Sequence, residues 1–151
     1  MLIRIMDKFI YQSTAPLFIR AAHIAFIQVI SRYVFNSSLS WAEEALRYLF
    51  IWMFFLAGSA GVKEKLHMNL DLFVEKLTDT AKRVVHTVVD ALLLVFLGFL
   101  AMYGTIFSLE NLSQLSPALE LPMGAINFAI PCGSVLMIVY TIRNMVARFR
   151  K

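Results

Sequence analysis

Four long apolar stretches separated by shorter polar segments make up most of the chain. In the mixed-charge segment 63–83, apolar residues recur at helical spacing, which predicts a short amphipathic interfacial helix on the membrane. Each long stretch holds about as many residues as a helix needs to cross the roughly 30 Å hydrocarbon core of a bilayer. The pattern predicts an all-α integral membrane protein, with four transmembrane helices in a single membrane domain over residues 1–151. The spans are predicted at about 9–35, 41–62, 84–107 and 123–142.

Composition agrees with a membrane protein. Hydrophobic residues make up 60% of the chain and charged residues 16%, compared with about 25% charged residues in typical soluble domains. A soluble chain of this length could not bury that much apolar surface, so the lipid bilayer is the expected environment. The net charge of +4 would suggest nucleic acid for a soluble protein. Here its distribution indicates membrane orientation, and no nucleic-acid partner is expected.

Lysine and arginine are concentrated on one side of the four-span arrangement. The N-terminal segment holds two, the 63–83 segment five and the residues after the fourth span four, together eleven of the fourteen in the chain. The 108–122 loop holds none. Because positively charged segments remain in the cytoplasm, both termini are predicted to be cytoplasmic.

A charged cluster marks the start of the second span. Ser40 and Glu43 match the Ser-x-x-Glu capping box, which predicts a helix start at this point. Glu43 and Glu44 precede Arg47 by four and three residues, so the three side chains share one helical face. Charges next to an apolar span are costly unless they lie in the interface or face protein. The cluster is therefore the main candidate for a functional site.

Two interpretations of this cluster remain open. A proton or ion relay would suit a small homodimeric, proton-coupled multidrug-type exporter that uses Glu43 or Glu44. A structural network would instead fix the second helix at the outer interface or dock another subunit, with Trp41 in the aromatic belt and Arg32 joining from the first helix. The structural or docking interpretation is favoured, because paired charges within membranes usually face protein.

A second candidate pair joins the first and third spans. Arg20 lies about 18 Å along the first helix from Lys8, and Asp90 lies roughly 10 Å beyond Arg83 on the third. The two spans run in the same direction, so the side chains could meet at similar depth. An arginine within a span needs a partner, and this partner is expected to be either Asp90 or a residue of another subunit.

The remaining chemistry of the chain gives little support for a cofactor or an enzyme. His23 and His86 raise the possibility of a bis-histidine haem in the anchor of a membrane oxidoreductase, but their expected depths differ. No histidine and cysteine spacing suggests zinc, and no nucleophile–base motif or phosphate-binding glycine loop occurs in the sequence. We therefore expect no cofactor, no metal and no catalytic residue.

Several motifs along the chain occur in a characteristic order. They are RYVF at 32–35, WAEEALRY at 41–48, Gly61 followed by HMNLD at 67–71, SPALELP at 116–122 and AIPCG at 129–133. Together they resemble one family, the small membrane subunit (Q-type, DctQ-like) of tripartite ATP-independent periplasmic (TRAP) transporters. The similarity covers nearly the whole chain, including its length and its four spans.

The resemblance implies a role rather than a reaction. The small subunit of this family associates with a large multi-span permease subunit that carries substrate and sodium. A soluble periplasmic binding protein delivers the substrate, an organic acid such as a dicarboxylate or sialic acid. The resemblance therefore implies an accessory scaffold subunit in the bacterial inner membrane, which does not transport on its own.

Overall fold

The structure, a computed structural model, describes the backbone of residues 2–64 and 78–149. Residues 65–77, which form most of the predicted amphipathic segment, lie outside the described residues. The helices are α1 (Leu2–Val34), α2 (Ser40–Lys63), α3 (Asp79–Glu110), α4 (Met123–Asn127) and α5 (Ala129–Phe149).

Among residues 2–64 and 78–149, four segments are long and apolar enough to cross a membrane, which confirms the predicted all-α membrane fold. They are Gln12–Val34, Ser40–Lys63, Ala81–Glu110 and Met123–Arg148. The helix α3 shows how charge sets these limits. Residues 91–109 carry no charge and extend about 28 Å as a helix, close to the roughly 30 Å of a hydrocarbon core. Asp90 and Glu110 therefore flank the uncharged stretch of α3.

The helices α2 and α5 form the centre of the molecule, with α1 packed against α2 and α3 packed against α5. In the most apolar stretch of each span, only 6% is buried for α1 and for α3. The corresponding share is 28% for α2 and 39% for the fourth span, Met123–Arg148. We call the end with residues 35–39 and 111–122 the loop end, and the opposite end the terminal end. The two outer helices thus present long faces to lipid or to another protein.

The fourth span is interrupted, where the sequence predicted one continuous helix from residue 123 to 142. It breaks at Phe128, between α4 and α5. Pro131 has no N–H to donate to the carbonyl of Asn127, four residues earlier, so the helical hydrogen bonding cannot continue there. By contrast, α1 continues through Pro16. The interruption lies near the loop end.

Small residues allow α2 and α5 to approach closely. A β-carbon on Gly133 of α5 would lie 2.5 Å from the β-carbon of Phe55, and one on Gly58 of α2 would lie 2.7 Å from the methyl carbon of Met137. The close packing of α2 against α5 therefore depends on Gly58 and Gly133.

Candidate functional site

The start of α2 lies at the loop end and differs from the predicted capping box. The N-cap position is Leu39, not Ser40, and no side chain caps the helix. The backbone N–H groups of Ala42 and Glu43 instead donate to the carbonyl of Leu39, at 3.0 and 3.3 Å. Ser40 is the first helical residue, so its side chain is one position too late for the capping box.

Glu44 is buried and connects α2 to the loop between α3 and α4. Its side chain accepts hydrogen bonds from the backbone N–H groups of Ala118 and Leu119, at 2.8 and 2.9 Å, through Oε2. The hydroxyl of Tyr48, one turn later, donates to Oε1. The residue is 6% exposed. A carboxylate with three donors is held in place, which suits a structural role better than a carrier of protons.

The loop that meets Glu44 is compact and internally bonded. Ser116 is buried and exchanges hydrogen bonds with Leu121, which donates to the Ser116 hydroxyl at 3.1 Å and accepts from the Ser116 N–H at 2.9 Å. Glu120 has a φ of 51°, a left-handed conformation that lets the chain turn back. The loop therefore presents the backbone N–H groups of residues 118 and 119 as two preformed donors for one carboxylate.

The other members of the predicted cluster are not drawn into this network. Glu43 faces Arg32 at 4.0 Å, and both side chains are about half exposed. Arg47 is exposed and makes no ion pair within 4.0 Å among the residues described. Trp41 is 42% exposed at the same end. The structure thus separates the two adjacent glutamates, with Glu44 buried in the loop contact and Glu43 at the surface.

Asp90 does not pair with Arg20, contrary to one of the two expectations. Its carboxylate contacts the guanidinium of Arg148 on α5 at 2.9 Å, and the two side chains are 17% and 24% exposed. Arg20 is exposed on α1, which packs on the other side of the central helices. Arg148 lies near the end of α5, and its long side chain extends to the carboxylate of Asp90. Within the described part of the chain, Arg20 is left without a carboxylate partner.

The terminal end holds a contact that sequence reasoning missed. The carboxylate of Asp7 on α1 lies 3.1 Å from the ammonium of Lys63 and accepts a 2.7 Å hydrogen bond from the buried Tyr140 hydroxyl. Asn144 donates to the carbonyl of Val62 at 2.8 Å, which satisfies an acceptor at the end of α2. The sequence did contain a signal for this contact, because Asp7 is the only acidic residue among the first forty-two and stands out as a candidate for an ion pair. The contact joins α1, α2 and α5.

This contact predicts a pH dependence. The hydrogen bond from Tyr140, together with Lys63, holds the pKa of Asp7 below its ordinary value, against the opposing effect of partial burial. The stability it contributes is therefore present above the ordinary pKa of about 4 and is lost as pH falls through the lowered value. We expect the difference in Tm between wild type and Asp7→Asn to stay constant from pH 7 to about 5 and to shrink below about pH 4. A difference that shrank between pH 7 and 5 would contradict this assignment.

The two histidines considered as haem ligands lie on different outer helices, His23 on α1 and His86 on α3. The central helices α2 and α5 lie between them. Within residues 2–64 and 78–149, no group of three histidine, cysteine or acidic side chains is placed to hold a metal ion. The geometry gives the haem alternative no support.

Comparison with known proteins connects this arrangement to a family. The family model of tripartite ATP-independent periplasmic transporters, DctQ component, matches residues 21–151. A putative TRAP transporter small permease protein of Haemophilus influenzae is 30% identical over 125 residues, 82% of this chain and 77% of that protein. The C4-dicarboxylate TRAP transporter small permease protein DctQ of Rhodobacter capsulatus is 34% identical over 66% of this chain and 45% of its own length.

A third relative extends the range of substrates in the group. The sialic acid TRAP transporter small permease protein SiaQ of Vibrio cholerae is 25% identical over 83% of this chain and 72% of its own length. The predicted resemblance is confirmed by the family match, which includes the α2 start, the loop and the fourth span. The family is a transporter component and not an enzyme. The chain belongs to the DctQ-component family of TRAP transporters, as a small permease subunit.

Proposed function

We propose that this chain is the accessory scaffold subunit of a sodium-coupled importer of an organic acid, which works with a large permease subunit and a periplasmic substrate-binding protein. Dicarboxylates and sialic acids are the proposed substrate classes, because relatives are named for both.

The observation that carries the proposal comes from longer relatives. The sialic acid TRAP transporter permease protein SiaT of Haemophilus influenzae matches 58% of this chain with only 14% of its own length. The isethionate TRAP transporter permease protein DctMQ of Oleidesulfovibrio alaskensis matches 73% of this chain with 18% of its own length. In both proteins, sequence like this chain occurs within a much longer permease. Such an arrangement supports direct contact between the small subunit and a large permease.

The exposed part of the loop-end cluster is proposed as one contact with a partner. The exposed side chains there are Arg32, Trp41, Glu43 and Arg47. The buried Glu44 holds the adjacent loop through its hydrogen bonds. Exposed charges of both signs beside an aromatic side chain are suited to a polar protein contact at the membrane boundary. In this proposal Glu44 is a positioning residue and the exposed cluster is the contact.

The proposed localisation is the bacterial inner membrane, with the terminal end in the cytoplasm. Eleven of the fourteen lysine and arginine residues lie on that side of the four-span arrangement, and the positive-inside rule then places both termini in the cytoplasm. We expect a reporter that is active only in the cytoplasm to work when it is fused after residue 151. A reporter that is active only in the periplasm should work when it is inserted between residues 112 and 113. The same compartment for both would contradict the four-span topology.

Reconstitution tests the function. The chain, its large permease subunit and the matching binding protein should together take up a labelled dicarboxylate or sialic acid into proteoliposomes under an inward sodium gradient. Omitting the chain, the permease or sodium should each reduce uptake to the level of empty liposomes. Sodium-independent uptake would contradict the coupling, and full uptake without this chain would contradict its role. Uptake or drug export by this chain alone would favour the exporter alternative.

A further inference from the structure

One side of α1 carries polar side chains into the middle of the membrane. Lys8, Arg20 and Arg32 are each twelve residues apart, so Arg20 lies about 18 Å along the helix from both flanking charges. A long arginine side chain cannot reach either boundary over that distance without local thinning of the bilayer. His23 lies one turn further along and is also exposed. Neither position is one that lipid tails cover readily.

These residues form a stripe that is separate from the apolar surface of α1. Gln12, Pro16, Arg20, His23 and Ile27 follow each other at steps of three or four residues, and all are exposed. We call them the Arg20 stripe. The other exposed side of α1 consists of large apolar side chains suited to lipid, namely Phe18, Phe26, Val29 and Tyr33. The exposed surface of α1 thus carries Gln12, Arg20 and His23, together with Ile27, along the stripe, and large apolar side chains along its other side.

The Arg20 stripe borders a groove against α2. Towards the terminal end, a cavity of about 470 Å³ is lined by Gln12, Arg20 and Trp52, among others. Towards the loop end, a cavity of about 590 Å³ is lined by Arg20, His23 and Leu121, among others. Arg20 belongs to both cavities, so the groove continues past it on either side. Its length and open shape suit the ridge of side chains on a neighbouring helix.

The polar atoms in the groove determine which hydrogen-bonding groups a bound helix must carry. Arg20 has only donors, and it meets no carboxylate within the described residues. His23 Nδ1 donates to the Ile19 carbonyl at 2.7 Å, which leaves Nε2 facing outward. An arginine at this depth is stabilised most by an acceptor of opposite charge held by protein.

We infer that the Arg20 stripe is the docking surface for a transmembrane helix of the large permease subunit, which places a carboxylate opposite Arg20 near the middle of the membrane. This inference rests on the proposed function and adds the face, the depth and the charge of the partner. The apolar side of α1, with Phe18 and Phe26, then remains in contact with lipid.

Photo-crosslinking tests which face of α1 contacts the large permease. A benzophenone amino acid is placed at Ile27 in the stripe or at Phe26 on the apolar side, in the chain co-expressed with the large permease. The two positions are adjacent in sequence and lie at the same depth. We expect an adduct with the large permease from residue 27 and at least tenfold less from residue 26. Equal yields, a stronger yield from residue 26, adducts between two copies of this chain, or lipid adducts alone would each overturn the assignment.

Co-purification tests whether the charge of Arg20 is needed for binding to the large permease. Arg20→Gln should reduce the large permease recovered with the tagged chain at least tenfold, and Arg20→Lys should retain most of it. Lys8→Gln, an exposed charge on the same helix outside the candidate span, should leave recovery unchanged. The Tm of the isolated chain should not fall in Arg20→Gln, because Arg20 has no acidic partner to lose there. A lower Tm with unchanged recovery would overturn the proposal in favour of a structural role.

The outcomes also separate this inference from the proposed function. If the wild-type chain does not recover the large permease and does not support uptake, the proposed function fails. If the wild-type chain recovers the permease and Arg20→Gln does so equally well, only the docking surface fails.

Discussion

Replacing Glu44 by alanine is expected to lower the Tm of the purified chain by roughly 5 °C or more, because hydrogen bonds to a charged group are among the stronger polar contacts in proteins. The change removes the acceptor for two backbone N–H groups of the loop and for the Tyr48 hydroxyl. Thermal unfolding in detergent, followed by tryptophan fluorescence, measures the effect. The loop should also become more accessible to a protease.

The adjacent glutamate provides the matched control. Glu43 is exposed and lies 4.0 Å from Arg32, a geometry that contributes about 0–1 kcal/mol. Glu43→Ala should therefore leave the Tm within a degree or two of the wild type. Glu44→Gln should be intermediate, because an amide oxygen still accepts hydrogen bonds but carries no charge. Equal Tm values for Glu43→Ala and Glu44→Ala would show that the loop contact does not stabilise the fold.

The pair Asp90 and Arg148 gives the second large effect. Removing one partner of a buried ion pair costs roughly 3–5 kcal/mol, because the remaining charge stays buried. Here the side chains are 17% and 24% exposed, so we expect a loss of about 2–4 kcal/mol for Arg148→Gln or Asp90→Asn. Unfolding in mixed micelles with increasing SDS measures the free energy of unfolding of each variant.

A double-mutant cycle separates the pair from its surroundings. If the two side chains act together, the double variant should be less destabilised than the sum of the single variants, with a coupling energy of roughly 1–3 kcal/mol. Arg83→Gln, an exposed charge on the same helix as Asp90, should change the free energy of unfolding by less than about 0.5 kcal/mol. A coupling energy near zero would contradict the pairing of α3 with α5 through these residues.

The predictable and unpredictable features of this chain have different physical origins. The four spans follow from apolar length, and the described helices include nearly all of the predicted residues. The helix α1 begins at Leu2 and α5 ends at Phe149, each about seven residues beyond the predicted limit. The partner of Glu44 could not be predicted, because it consists of backbone amides that residues of any type carry, some seventy-four positions away. Asp90 was paired with the wrong arginine, because helical depth alone does not tell which helices are neighbours. Once α3 packs on α5, Arg148 is within reach and Arg20 is not.

The start of α2 remains a candidate site, and its side chains make different contacts from those that the sequence spacing predicts. The start of α2 does carry the buried carboxylate, but the i,i+4 spacing of Glu43 and Arg47 did not produce an ion pair. In water-accessible positions such a pair contributes only a few tenths of a kcal/mol, which other contacts easily exceed. The Asp7 contact was missed for a different reason from that of Glu44. Its partners lie on two other helices and have no common sequence pattern with it.

The positions of the polar contacts have a mechanical consequence. Glu44 holds α2 to the loop at one membrane boundary, and the contacts of Asp7 and Asp90 hold helices together at the other. Sliding α2 along α5 by one helical turn would move each side chain about 5 Å and would break the bonds at both boundaries at once. The apolar middle alone would resist such shear much less. Polar contacts at both ends of the helices therefore oppose sliding of α2 along α5 more than apolar packing alone would.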